Sequence, residues 1–170
     1  MLRKLAVLVV GMVVPLASLA DDSLVKFKGG IGVDPVSTVV VNADGSVTVN
    51  RNIVRGVNPP GQIWRIGDLS ADVTTDGSIR VRGKGLLLAG GNGIGGNANQ
   101  SVFATLICEA AAPFVLHNTT TTGVKLEADG DFQIDDVLSP PPPTPCVSPV
   151  LLIRNPAGAW FAAGIPDLED

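Results

Sequence analysis

A chain of 170 residues, with 16 acidic against 12 basic side chains, has room for one ordinary domain, and its net charge of −4 argues against nucleic acid or an anionic membrane as partner. Tyr is absent and aromatics make up only 4% of the chain, which counts against a binding surface built on aromatic stacking. Its 20 glycines and 13 prolines interrupt the chain too often for long helices.

Met1 to Ala20 reads as a secretory signal. Arg3 and Lys4 form a positive start, Leu5 to Leu16 an apolar stretch too short to span a bilayer, and Ser18-Leu19-Ala20 a small-x-small cleavage site. Residues 21–170 are then expected to form one secreted or periplasmic domain without integral membrane insertion. Losing Arg3 and Lys4 takes the net charge from −4 to −6. In an oxidising compartment the two cysteines, Cys108 and Cys146, are expected to pair, because their number is even and one His adds too few soft ligands for a structural zinc.

The mature chain opens with a short edge strand over Leu24 to Lys28 and a flexible Gly29-Gly30-Ile31-Gly32. Val36 to Val41 and Val47 to Val49 then flank Ala43-Asp44-Gly45. A three-residue loop places Val41 opposite Val47 and Val39 opposite Val49. Asn58-Pro59-Pro60-Gly61 is a turn before a strand bearing Trp64.

The clearest hairpin is Leu69 to Leu88. Leu69, Ala71 and Val73 alternate with polar residues, as do Ile79 and Val81. A two-residue turn at Asp76-Gly77 would put Val73 opposite Arg80, an apolar side chain against a charge. A three-residue loop, Thr75-Asp76-Gly77, instead pairs Val73 with Ile79, Asp72 with Arg80 and Ala71 with Val81, which sorts the faces and requires positive φ at Gly77. The same turn is expected at Ala128-Asp129-Gly130, with Leu126 opposite Phe132 and Val124 opposite Ile134. Unequal spacing of the three turns argues against a repeat protein.

Ser101 to Cys108 reads as a strand buried on both faces. Ser139 to Pro145 is expected to be extended, stiff and solvent-facing. Val150 to Arg154 and Ala159 to Ile165 form a last hairpin contributing Trp160 and Phe161. About nine short strands and no convincing helix indicate a single antiparallel β-sandwich, immunoglobulin-like or a related Greek key, with a barrel as the alternative.

Few residues here suggest chemistry. Gly91-Asn92-Gly93-Ile94-Gly95-Gly96 matches the dinucleotide fingerprint, but a strand follows where that fold needs a helix, so a surface loop is the better reading. His117 adjoins Asn118-Thr119-Thr120-Thr121-Thr122 and reads as a solvated loop residue; a hydrolase would need a Ser and an Asp beside it. Asp129, Asp131, Asp135 and Asp136 lack the EF-hand spacing for calcium and serve better as turn and surface charge. Arg80, Arg82 and Lys84 form a basic stripe, partly matched by Asp72, and are the candidates for a small anionic ligand. Asn99-Gln100-Ser101 and Asn118-Thr119-Thr120 match glycosylation sequons and mark expected loops.

Val102-Phe103-Ala104-Thr105-Leu106-Ile107-Cys108, Gly130-Asp131-Phe132-Gln133-Ile134-Asp135, Cys146 to Arg154 and Trp160-Phe161-Ala162-Ala163-Gly164 together resemble a set of small exported bacterial proteins of unassigned function. The resemblance implies a disulfide-linked β-domain and a bacterial source, and brings no catalytic or binding residue. The expectation is a non-enzymatic binding, adhesion or cell-envelope module with an unknown protein or envelope partner and no cofactor. The alternatives are a carrier of a small apolar ligand in a barrel and a hydrolase using His117.

Overall fold

A computed structural model describes residues 22–167; the expected signal segment lies outside them. Among the described residues there are only strands, turns and loops. Eight strands follow one antiparallel path. Its order is β10 (Val124–Lys125), β8 (Ser101–Ile107), β12 (Val150–Arg154), β13 (Trp160–Pro166), β1 (Ser23–Gly32), β5 (Asp68–Thr74), β6 (Ser78–Lys84) and β11 (Phe132–Val137), with β9 (His117–Asn118) branching from β8. The sheet curls until its first and last strands nearly meet, so the all-β antiparallel architecture is as expected, and sandwich and barrel descriptions both fit it.

The β10–β11 seam is bridged at its two ends. At one, Asn118 and Ser139 exchange backbone hydrogen bonds of 3.0 and 2.8 Å. At the other, the Glu127 N–H donates to Asp131 O across the Asp129-Gly130 turn, at 2.9 Å. Leu69, Val73, Ile79, Val81, Leu106 and Leu151 are at most 1% exposed inside this wall. That side-chain filling gives no support to a carrier with an apolar cavity.

The central hairpin has the anticipated register: Val73 faces Ile79, Asp72 faces Arg80 and Ala71 faces Val81. Gly77 has φ of 86°. Asp76 closes the turn by accepting from the Thr74 hydroxyl and the Ser78 N–H and hydroxyl, and these donors hold its carboxyl below the ordinary value of 3.8. The ionised form is therefore the one that stabilises the fold. Its contribution is complete above the unfolded value and is lost as pH falls through the lower folded value. Melting temperatures of the protein and Asp76→Asn should converge as pH drops below 3.8; a constant gap would contradict this assignment.

Four expectations need correction. β1 is ten residues long and central, between β13 and β5, with the Gly29 to Gly32 run inside it. The reason is close approach: a Cβ on Gly32 would lie 2.2 Å from the Trp64 carbonyl oxygen. Second, the Asp129 turn forms but its flanking strands do not pair. Val124 faces Val102 of β8, and Ile134 faces Val81 of β6, because each finds a longer partner elsewhere.

Third, the proline segment is not wholly solvent-facing. Pro142 is buried against the Gly77 turn, and the segment straps β9. Fourth, that strap makes β9 interior: His117 is 3% exposed and pairs with Leu106, and Asn118 accepts from the Thr105 hydroxyl at 2.7 Å. Neither residue lies in a solvated loop.

Cys108 and Cys146 are bonded, with Cα atoms 4.8 Å apart. Arg55 reinforces the junction. Its guanidinium donates to Ser148 O at 2.6 Å, Ser148 Oγ at 2.7 Å and Ile107 O at 3.3 Å, and lies 5.9 Å from the Phe114 ring centre.

Among the described residues the β2 (Val36–Val41) and β3 (Val47–Arg51) strands pair only with each other. Their register is the expected one, Val39 to Val49 and Val41 to Val47. Every residue of both strands is exposed, so this hairpin is an arm of the domain and not part of its wall. The remaining pair, β4 (Trp64–Arg65) with β7 (Leu87–Leu88), covers one end of the core, where Trp64 stacks on Phe161 at 4.1 Å.

Candidate functional site

The outer face of β1, β5, β6 and β11 is built by simple alternation. Inward positions are apolar, so every second residue must face water, and register then assembles these outward residues into rows across the strands. One row is Lys26, Asp72, Arg80 and Asp135. It alternates in sign. Arg80 Nε lies 3.2 Å from Asp135 Oδ2, with both side chains 61% exposed, and Asp72 accepts from the Ser23 hydroxyl.

The Arg80 ion pair therefore goes to Asp135 and not to Asp72, and at that exposure it contributes little stability. The next row is Lys28, Ser70, Arg82 and Gln133. It contains two cations and no carboxylate. Lys84 lies beyond it, opposite Asp68.

Arg82 separates two open grooves. One, of about 270 Å³, is lined by Ser70, Ala71, Asp72, Arg80 and Arg82. The other, of about 450 Å³, runs along the seam where the sheet fails to close; Arg82, Lys84, Lys125, Gln133 and Phe132 line it, together with Glu127 and Asp131. Asp131 is already engaged, accepting from the Gly85 N–H at 2.9 Å. The basic stripe of the sequence is thus divided: Arg80 is matched by acid, while Arg82 and Lys84 border the seam.

The arm is a second candidate surface. Val39, Val41, Val47 and Val49 occupy one face at 53 to 71% exposure. The other face is tied by Asn50 to Thr38 at 2.8 Å, and by Asn42 to Ser46 at 2.9 Å and Thr48 at 3.1 Å. Those hydrogen bonds stiffen the ribbon and define which face is apolar. Its base is held by Arg51 donating to Pro59 O and Asn52 donating to Asp34 O.

The other sequence candidates resolve into structural roles. His117 Nδ1 lies 2.8 Å from Pro140 O, while among the described residues Nε2 is buried with no partner and neither a Ser nor an Asp bonds the ring. That geometry fits a strap anchor and offers no nucleophile for a triad. The Gly91 to Gly96 loop folds back on β7 through Gly95 N to Leu88 O and Leu88 N to Gly96 O, and leads into β8, with no helix to receive a pyrophosphate.

Asp136 accepts from the N–H groups of Thr120 and Val137, which hold its carboxyl below the ordinary value, and Asp129 accepts from Asp131 N. Among the described residues no three His, Cys, Asp or Glu side chains converge as metal ligands.

Sequence reasoning missed Lys28 and Gln133 as members of the Arg82 row, and missed the exposure of the valines. It also missed Arg154, partly buried and, among the described residues, without a carboxylate partner. Its guanidinium donates to Gly158 O at 2.9 and 3.1 Å and lies 5.2 Å from the Phe103 ring centre, and burial lowers its pKa. No protein-family model, no curated protein and no solved structure matches this chain.

Proposed function

We propose that this protein is a secreted or periplasmic, non-enzymatic module of the cell envelope or its surroundings, acting through its exterior. The disulfide supports an oxidising, extracytoplasmic setting. The observation that carries the reading is the β2–β3 arm. Among the described residues each of its strands has one unpaired edge, and one face presents four exposed valines, with Asp44 the only charged side chain between Val36 and Asn50. Solitary proteins blunt exposed edges with charge, proline or cover. An arm without these protections is suited to contact another molecule by strand addition and apolar packing.

The test is a pull-down from the native envelope or medium with the protein and with a variant combining Val39→Thr, Val41→Thr, Val47→Thr and Val49→Thr. Threonine keeps the β-branched shape and the fold, so both proteins should melt alike. A partner should be recovered with the first and lost with the second. Identical recoveries would contradict the reading.

A further inference from the structure

The seam face has a chemistry of its own, distinct from the arm. The protein is acidic overall, yet the row Lys28, Ser70, Arg82, Gln133 presents cation, hydroxyl, cation and amide in order, with no acid among them. All four side chains are exposed. None makes a hydrogen bond or ion pair with another described residue, in contrast to the adjacent Arg80 row. Lys125 extends the sequence across the seam, on the far wall of the 450 Å³ groove from Arg82. Neighbouring strands stand about 4.8 Å apart, so Lys28 and Arg82 are spaced at roughly 10 Å on the backbone.

We infer that this row is a binding track for a linear acidic polysaccharide with one carboxylate in each disaccharide unit, lying across the strands. Charge complementarity selects the ligand's sign: Lys28, Arg82 and Lys125 each meet a carboxylate, Arg82 in the bidentate manner its planar guanidinium favours. Ser70 and Gln133, which lie between cations, donate to and accept from the sugar hydroxyls of the intervening units. The track has no exposed aromatic, so recognition is through charge and hydrogen bonds and not through ring stacking. Glu127 and Asp131 in the seam set a limit on charge density, disfavouring a ligand with an anion on every unit.

The experiment measures binding of the folded protein to hyaluronan, which has one carboxylate per disaccharide, against neutral dextran and inorganic polyphosphate. Hyaluronan should bind at low ionic strength and weaken as salt is added. Arg82→Gln should reduce hyaluronan affinity about tenfold, the loss of one charge-assisted contact, while Arg80→Gln, in the self-neutralised row, should change it less than twofold. Absence of hyaluronan binding, equal losses in the two variants, or tighter binding of polyphosphate than of hyaluronan would each overturn the assignment. The arm valines are untouched in these variants, so failure here is separable from failure of the envelope-module reading.

Discussion

Replacing Cys108 and Cys146 together by alanine is expected to lower stability by about 4 kcal/mol, the chain-entropy value for a loop of 38 residues. In the unfolded chain the bridge removes conformations that the variant regains. In the folded chain it anchors the end of the strap whose other end holds β9, through Asn118 to Ser139 and His117 to Pro140. For a domain of this size, 1 kcal/mol shifts the melting temperature by about 2 to 4 °C, so a fall of roughly 8 to 16 °C should appear in a thermal melt. Reduction of the unmodified protein should give a similar fall. A double variant that melts with the native protein would show that the strap is held without the bridge.

The second large effect comes from comparing three glycines in the same turn chemistry. Gly45, Gly77 and Gly130 all adopt positive φ, at 81°, 86° and 84°. An alanine therefore meets the same backbone penalty at each, about 1 kcal/mol. Their surroundings differ. A Cβ at Gly45 meets nothing within 4 Å, one at Gly77 lies 3.3 Å from Pro142 Cδ, and one at Gly130 lies 2.6 Å from the backbone N and O of Leu86.

Backbone cannot yield as a side chain can. Gly130→Ala should therefore cost about 3 kcal/mol or more, against roughly 1 for Gly45→Ala and 1 to 2 for Gly77→Ala. Denaturant unfolding of the three variants would reveal the order. Equal costs would mean that turn conformation alone decides, and that Gly130 is not packed against the Leu86 segment.

The same comparison shows what was legible in the sequence. Register in the first two hairpins follows from the turn and the alternation beside it, and both are local. At Asp129 the turn was equally legible, but partner choice is not local: Val124 and Ile134 each pair with a strand more than 20 residues away. His117 was misplaced for a related reason. A Thr-rich neighbourhood reads as solvated, whereas pairing with Leu106 of β8 and the Pro140 carbonyl of the strap, both distant in sequence, put His117 inside. Alternating valines read as a half-buried strand, yet among the described residues no second layer covers β2 and β3, so the pattern marks an exposed face.

The Arg82 row was half visible. Ser70 opposite Arg82 follows from the hairpin register, and the basic stripe was recognised as the place for an anion. Lys28 and Gln133 join that row only because β1 and β11 flank the hairpin in the strand order of the sheet. What divides Arg80 from Arg82 is Asp135, contributed by the same distant β11.

The central claim, that the protein works through an exterior with an unprotected arm, is most directly tested by amide hydrogen exchange on the protein alone and on the complex eluted from its native source. Exchange should slow in the complex at Val36–Val41 and Val47–Arg51, where strand edges gain partners, and stay unchanged across the buried strand Ser101–Ile107. A complex in which the arm exchanges as fast as in the free protein would contradict it.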